Sequence, residues 1–282
     1  MFFDSHTHIN HDGYTEEERA AVIKAIESSQ VDAVMDVAVD LASSVLTCEH
    51  VKKLPWCYGA VGYHPHQAEE MGPAELAMIK SLAKKDKIMA IGEIGLDFHY
   101  DYSERPVQRE VFRQQIRLAN ELKMPIIIHS READQETMDI LKEEGAFSEE
   151  RKSWFPERRI PDGPEWENAG KDARVLLHCF SGSRETGKQY VKLGATLSVA
   201  GPVTYKNNKK TVGVVEEIPI QFLLVETDAP FLTPEPLRGK KNISPFVMHT
   251  ARKVGEIRGL TLEETAEETR KNAMTFFGID RL

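Results

Sequence analysis

The residues with the clearest capacity for chemistry are histidines and carboxylates that stand at the ends of short apolar runs. His6 and His8 flank Thr7 at the end of the first run, and side chains two residues apart in a strand point to the same side. Four further residues follow later runs, and these are Glu93, His129, His178 and Asp228. Imidazole and carboxylate groups together suit Zn²⁺, Mn²⁺ or a similar divalent ion, and six of them are enough for two adjacent ions.

Each of these residues also has an ordinary structural interpretation when it is taken alone. A single histidine is typically a hydrogen-bonded core or turn residue, and Glu93 or Asp228 is compatible with a helix cap or an ion pair. Together they are hard to explain as packing, because burying so many polar groups without a metal is costly. Asp4 and Asp97 are better interpreted as groups that orient histidines or loops than as ligands.

Other polar residues stand near the expected site without being needed as ligands. His64, beside Pro65, is a candidate for binding a phosphate or protonating a leaving oxygen, and the alternative is a hydrogen-bonded turn residue. Arg131, Arg238 and Lys240 are candidates for phosphate binding. The alternative for each of these three is a solvated surface charge.

Eight short apolar or β-branched runs predict the strands that must position these side chains. The predicted strands are 2–5, 33–37, 57–61, 88–91, 125–128, 175–177, 196–199 and 222–225. Amphipathic stretches with helical spacing include 16–29, 74–85, 106–123, 131–144, 244–256 and 262–277. Eight strands alternating with helices favour an α/β fold with one closed (β/α)₈ barrel over a doubly wound sheet. In such a barrel, catalytic groups gather at the carboxyl ends of the strands.

Residues 146–172 interrupt the alternation, and we interpret them as an insertion in a single barrel domain spanning 1–282. Trp154 and Phe155, beside basic residues that include Arg151 and Arg158, could form a stacking and phosphate-binding surface. However, the segment follows a helix and precedes a strand, which puts it on the face opposite the catalytic loops. This position favours a surface segment that packs on the barrel, or a contact between subunits of a homo-oligomer.

The composition restricts the class of protein and its location. The chain has 36 Lys and Arg against 45 Asp and Glu, and a net charge of −9 argues against a general nucleic-acid coat protein or a basic membrane-surface protein. Its three cysteines are an odd number without disulfide or zinc-cluster spacing, which fits a reducing compartment. The first residues have neither a basic nor an apolar signal region, and no run is long enough to span a bilayer. We therefore expect a cytoplasmic protein without a membrane partner.

Several ordered motifs carry a resemblance to a known family. They are DSHTH at 4–8, GYHP at 62–65, AIGEIGLD at 90–97, HSR at 129–131, HCFSG at 178–182, ETDAPFL at 226–232, RGK at 238–240 with Asn242, and Asn272-Ala273. The sequence resembles the TatD family of metal-dependent deoxyribonucleases in the amidohydrolase superfamily. The resemblance covers nearly the whole chain, and only the insertion at 146–172 departs from most members.

The resemblance implies a distorted TIM-like barrel with two divalent metal ions, for which Mg²⁺, Mn²⁺ and Zn²⁺ all remain open. By analogy with the family, His6, His8 and Asp228 would hold one ion, His129 and His178 the other, and Glu93 would bridge them. Asp228 would also orient the attacking water or accept its proton. The family parallel supports a substrate role for His64.

The function implied by the resemblance is metal-dependent hydrolysis of DNA from its 3′ end, and RNA is also a candidate substrate. An alternative on the same barrel is hydrolysis of a lactone, an amide or a small phosphoester. Many relatives of that kind bridge their metals with a carboxylated lysine, whereas Glu93 here favours the nuclease branch. A non-catalytic scaffold would be expected to have lost ligands, and all six are present. Because much of the acidic excess falls on predicted outer helices, we expect binding to DNA ends or short single strands rather than to long duplexes.

Overall fold

Eight parallel strands form a nearly closed barrel in the computed structural model, which describes residues 1–281. The strands are β1 (Phe2–Thr7), β2 (Val31–Val37), β3 (Cys57–Val61), β4 (Ile88–Asp97), β5 (Ile126–Arg131), β6 (Val175–Leu177), β7 (Ala195–Val199) and β8 (Leu223–Val225). Each strand pairs with the next in chain order, and a bridge between Thr7 and Ala229 joins the first and last segments. The predicted (β/α)₈ fold is confirmed.

Helices connect the strands and cover the barrel. They are α1 (Glu16–Glu27), α2 (Leu41–Lys53), α3 (Pro73–Leu82), α4 (Arg105–Leu122), α5 (Asp134–Glu143), α6 (Glu149–Lys152), α7 (Arg184–Leu193), α8 (Lys209–Glu217), α9 (Val247–Arg258) and α10 (Leu262–Phe277). Short 3₁₀ helices add Pro65–Glu70, Pro164–Gly170, Gly201–Thr204, Ile220–Phe222 and Ser244–Phe246. The helices α2, α6, α7 and α8 were not predicted from the sequence.

The last helix closes the end of the barrel at which the strands begin. A capping box between Thr261 and Glu264 starts α10 at the predicted residue, and Phe277 packs against Phe3 with ring centroids 5.9 Å apart. The amide of Asn272 donates hydrogen bonds to the carbonyls of Ile220 and Leu223, at the start of β8. With this end covered, the loops at the carboxyl ends of the strands are left to form the site.

Three strands extend beyond their predicted ends, β1 by two residues and β4 and β5 by more. β4 continues through Glu93 to Asp97, and β5 continues through His129 to Arg131, so these residues lie within strands and Arg131 does not begin a helix. The reason is Gly95, which pairs with His129 at a φ of +149°. A Cβ atom at residue 95 would lie 1.9 Å from the His129 carbonyl oxygen, so only glycine allows the two strands to stay this close.

The segment 146–172 packs against the amino ends of the strands, on the face predicted for it. The Arg151 side chain is fully buried and donates hydrogen bonds to Asn120 Oδ1 and to the carbonyl oxygens of Met124 and Ala173. Arg158 is also buried and donates to carbonyl oxygens, including that of Ala195 at 2.7 Å. The phosphate-binding alternative is therefore wrong for both arginines. A subunit contact through this segment stays a prediction.

No helix among residues 1–281 is both long and apolar enough to cross a membrane. The three cysteines, Cys48, Cys57 and Cys179, are free. Cys179 follows β6 with a φ of +43° and is half-buried.

Candidate metal centre

Five of the six residues predicted as ligands gather around the carboxylate of the sixth, Glu93, which is 2% exposed. Its Oε2 atom lies 3.3 Å from His6 Nε2 and 3.8 Å from His8 Nε2. Its Oε1 atom lies 2.7 Å from both His129 Nδ1 and His178 Nε2. On the Oε2 side, Asp228 Oδ1 lies 3.3 Å from His8 Nε2. One carboxylate therefore separates two groups of donors.

The barrel fixes these side chains through neighbouring strands. His6 lies in β1 and stacks on His178 with centroids 4.0 Å apart and planes at 17°. Asp228 follows β8 with a φ of +55°, and its backbone N–H donates to the His6 carbonyl at 2.9 Å. The residue before it is held by Asp4, which accepts hydrogen bonds from the Thr227 N–H at 2.8 Å and hydroxyl at 2.6 Å. Asp4 thus orients the Asp228 loop rather than a histidine, and burial raises its pKa to about 7.

The outer nitrogens of three histidines are held by groups that can only accept a hydrogen bond. His8 Nδ1 lies 2.7 Å from the carbonyl oxygen of Val37, and His129 Nε2 lies 3.2 Å from Asp97 Oδ2. His178 Nδ1 lies 3.3 Å from Glu226 Oε1. A histidine that binds a metal ion is neutral, and these acceptors would keep its one remaining proton on the outer nitrogen, which would leave the lone pair of the inner nitrogen for the ion. Histidines that bind metals are usually held in this way.

His64 has the opposite arrangement. Its Nδ1 accepts a hydrogen bond from the backbone N–H of His66 at 3.1 Å, so the proton of the neutral ring is on Nε2. Nε2 lies 3.6 Å from Glu93 Oε1, beyond hydrogen-bond distance but facing the same centre. Burial and the charge of His129 lower the pKa of His64 well below its usual value, which keeps the ring neutral. His64 therefore presents an N–H donor to the centre.

The histidines and carboxylates of the centre shift one another's pKa values. Burial lowers the pKa of His8 and His178, but the facing carboxylates outweigh it and raise the pKa of His8 to about 9 and that of His178 well above its usual value. Burial alone would raise the pKa of the Glu93 carboxyl, yet the charge of His178 and the hydrogen bonds from His129 and His178 hold it well below the usual range. Asp228 also has a lowered pKa, since the His8 hydrogen bond overcomes its burial. The carboxylates thus stay ionised and attract positive charge.

This donor set fits divalent metal ions. The Nε2 atoms of His6 and His8 lie only 3.2 Å apart, and Nδ1 of His6 is buried without a hydrogen-bond partner among residues 1–281. Three groups have ligand atoms close enough to share an ion, and these are His6 with His8 and Asp228, His6 with His178 and Glu226, and His64 with Glu93 and His129. The first group matches the predicted division of ligands. The other two contain Glu226 and His64, neither of which was expected among the ligands.

Glu226 is the functional candidate that sequence reasoning missed. It is fully buried, accepts a hydrogen bond from the Ser198 hydroxyl, and lies behind His178. The signal for it was present, because a carboxylate two residues before Asp228 stands directly after the β8 run. Asp97, in contrast, holds His129 as expected and lies 2.8 Å from His66 Nε2 as well.

The three predicted phosphate-binding cations are exposed at the rim rather than in the centre. Arg131 ends β5 and lies over the ring of Tyr100, 4.6 Å from its centroid. Arg238 lies over Tyr205 at 4.4 Å. The Lys240 carbonyl accepts a hydrogen bond from the Thr233 hydroxyl, which fixes the backbone of that loop.

Comparison with known proteins identifies the family. Residues 3–278 match the family described as TatD related DNase. A metal-dependent hydrolase of Bacillus subtilis strain 168, YabD, is 40% identical over 280 residues, which are 99% of this chain and 100% of that protein. The chain belongs to the TatD family of metal-dependent hydrolases. The resemblance found in the motifs is thereby confirmed.

Two further relatives of this TatD protein are informative. The protein named 3′-5′ ssDNA/RNA exonuclease TatD from Erwinia amylovora is 31% identical over 229 residues, and the match covers 79% of each chain. The crystal structure of YJJV, a TatD homologue from Escherichia coli K12, has a TM-score of 0.83 and 25% identity, and it covers 99% of this chain and 98% of its own. This TatD protein is thus a metal-dependent hydrolase on a TIM-like barrel.

Proposed function

We propose that this TatD protein hydrolyses phosphodiester bonds of single-stranded DNA from the 3′ end with two divalent metal ions, and that RNA is a second substrate. The observation that carries the proposal is the division of donors around Glu93. Imidazole nitrogens face both of its oxygens, and His64 adds one N–H donor. The activity named for the Erwinia amylovora relative supports the same substrate class.

The residues on the two sides of Glu93 would hold the two ions. His6, His8 and Asp228 are assigned to one ion, His129 and His178 to the other, and Glu93 to both. Ions bound there would supply a water of lowered pKa and positive charge for the phosphoryl oxygens. The identity of the ions, among Mg²⁺, Mn²⁺ and Zn²⁺, follows from availability as well as from the ligands.

Two side chains are proposed to act on the substrate directly. The ionised Asp228 orients the attacking water and accepts its proton, because its lowered pKa keeps it unprotonated at neutral pH. The Nε2–H of His64 donates a hydrogen bond to the phosphate or to the leaving oxygen. The backbone N–H of His66 holds the His64 ring in the tautomer that this requires.

Binding of strand ends follows from where the charges lie. Glu16, Glu17, Glu18, Glu263, Glu264 and Glu267 are exposed on α1 and α10, outside the centre. The rim cations Arg131, Arg238 and Lys240 are exposed near the mouth and are proposed to contact phosphates. A local set of cations suits a strand end, whereas the net charge of −9 opposes binding along a duplex.

Cleavage of a 5′-labelled single strand with added Mg²⁺, Mn²⁺ or Zn²⁺ tests the proposal. We expect a ladder that shortens from the 3′ end, a block by a modified 3′ end, and a rate loss of about 100-fold or more for Glu93→Gln and for His178→Ala. His249→Gln, a histidine substitution on α9, is the matched control and should leave the rate unchanged. If wild type and Glu93→Gln are equally inert on nucleic acids while the wild type hydrolyses lactones or amides, the nuclease proposal is wrong.

A further inference from the structure

Two tyrosines are exposed on the loop between β4 and α4, beside the metal centre. Tyr100 is 45% exposed and Tyr102 is 67% exposed. Their rings stack on each other with centroids 5.3 Å apart and planes at 12°. The ring of His66 stands nearly perpendicular to both, 5.5 Å from Tyr100 and 4.7 Å from Tyr102. Large aromatic rings presented to solvent in this way typically mark a binding surface.

The loop that carries the two tyrosines is held rigidly. Arg105, at the start of α4, binds the Asp101 carboxylate at 2.8 Å and donates to the Phe98 carbonyl at 3.1 Å. The buried Ser103 hydroxyl donates to the His66 carbonyl at 2.9 Å, which ties the loop to the segment after β3. A surface that is already fixed before binding loses less conformational entropy when a ligand binds to it.

Asp97 connects this loop to the metal centre. Its Oδ1 accepts hydrogen bonds from the backbone N–H groups of His99 at 3.0 Å and Tyr100 at 2.9 Å. Its Oδ2 faces His129 Nε2 at 3.2 Å and His66 Nε2 at 2.8 Å. One buried carboxylate therefore sets both the orientation of a candidate ligand and the position of the tyrosines.

A cation lies beside the same rings. The Arg131 guanidinium lies 4.6 Å from the Tyr100 ring centroid, at the end of the strand that carries His129. Stacked aromatic rings with an adjacent arginine form the combination that binds single-stranded nucleic acids, since every base has a π-face and every nucleotide a phosphate.

We propose that Tyr100 and Tyr102 form a stacking platform for the nucleobase next to the phosphodiester that is cleaved, with Arg131 at its phosphate. This inference rests on the proposed nucleic-acid substrate and adds a substrate subsite to it. Tyr102, the more exposed ring, makes the face-to-face contact, while Tyr100 supports it from behind. Because stacking does not read base edges, the platform favours single strands without selecting a sequence.

Fluorescence of 2-aminopurine tests the platform independently of cleavage. The probe is a cleavage-resistant phosphorothioate oligodeoxynucleotide with 2-aminopurine at the last or the penultimate position, added to the metal-loaded protein. We expect quenching at one of the two positions and about tenfold weaker binding for Tyr102→Ala. Tyr102→Phe should retain both properties, because it keeps the ring. Met78→Ala, at an exposed apolar residue on α3, is the control for loss of surface area.

Cleavage kinetics give a second readout that a merely structural role would not produce. Tyr102→Ala should lower kcat/KM about tenfold on a strand with all its bases and leave it unchanged on a strand that lacks the base at the quenched position. Equal losses of kcat/KM on both DNA substrates, or no loss on either, would refute the stacking platform and leave the nuclease proposal standing. Quenched binding without cleavage by any metal-loaded form would support the platform and refute the proposed function. A strand that is neither bound nor cleaved would refute both.

Discussion

The carboxylate of Glu226 lies behind His178, with Oε1 3.3 Å from Nδ1, while Nε2 on the other side of the ring lies 2.7 Å from Glu93. Glu226 is fully buried and accepts a second hydrogen bond from the Ser198 hydroxyl. With a metal ion bound at Nε2, Glu226 would keep the remaining proton of His178 on Nδ1. A buried carboxylate in this place makes the imidazole a better donor to a metal ion.

Replacing Glu226 should weaken metal binding at the His178 side. Glu226→Ala removes both the charge and the acceptor, and we expect about 10- to 100-fold lower affinity for the metal ion proposed to bind His178. Glu226→Gln keeps a hydrogen-bond acceptor and should therefore lose less metal affinity than Glu226→Ala. Competition with a chromogenic chelator measures the affinity, and Glu267→Gln on the exposed face of α10 is the control. Unchanged affinity in Glu226→Ala would show that His178 does not depend on this contact.

Gly95→Ala should disrupt the contact between β4 and β5. The added Cβ would lie 1.9 Å from the His129 carbonyl oxygen, so the strands must separate and His129 must move. We expect a loss of about 3 kcal/mol or more in the free energy of unfolding, measured with urea.

Gly259→Ala separates this clash from backbone strain. Gly259, after α9, also has a positive φ, +69°, but a Cβ there has open space around it. The control should therefore lose only about 1 kcal/mol from strain in the left-handed conformation. Similar losses of unfolding free energy in the two variants would show that the close approach of β4 and β5 at Gly95 is not important for stability.

The buried Arg151 should be essential for stability rather than for binding anions. Arg151→Met would leave the carbonyls of Met124 and Ala173 and the amide oxygen of Asn120 without their donor. We expect a loss of about 3 kcal/mol or more in the free energy of unfolding. Arg159→Met is the matched control, because this exposed arginine pairs with Glu268 at the surface and should contribute less than about 1 kcal/mol. A stable Arg151→Met protein with weakened nucleic-acid binding would contradict this interpretation.

Stability at acid pH should depend partly on Glu144. Hydrogen bonds from Arg117 and Arg113 hold the pKa of Glu144 below its ordinary value of 4.5 in the folded protein. The unfolded chain therefore binds the proton more readily, so the contribution is present above about pH 4.5 and is lost as the pH falls through the folded pKa. Glu144→Gln should cost about 1 kcal/mol at neutral pH and show a shallower loss of stability between about pH 5 and 3.

Urea unfolding at several pH values measures the acid effect. Glu110→Gln, on α4 near Arg117, is the control for removing a carboxylate that does not bind these arginines as Glu144 does. Parallel pH profiles for the wild type and Glu144→Gln would contradict the prediction.

Local patterns were sufficient for the order of strands and for most of the candidate ligands. Apolar runs followed by His129, His178 or Asp228 are local signals, and the carboxyl ends of parallel strands in a barrel meet at one rim. The bounds of α10 were also predictable, because its capping box and the following Gly278 are both local. The chemistry of the centre could therefore be deduced from residue types and their positions along the chain.

The tertiary structure decided which nitrogen of each ring faces the centre and which polar residues are buried. The contact of His8 with the Val37 carbonyl and that of His178 with Glu226 span different strands, and no spacing within one segment predicts them. The sequence predicts a surface cation at Arg151. The residue is buried because the carbonyl oxygens at the start of neighbouring strands surround its guanidinium group. Hydrogen bonds between distant segments exist only once the barrel has brought those segments together, and so only the folded chain sets the protons and charges of this site.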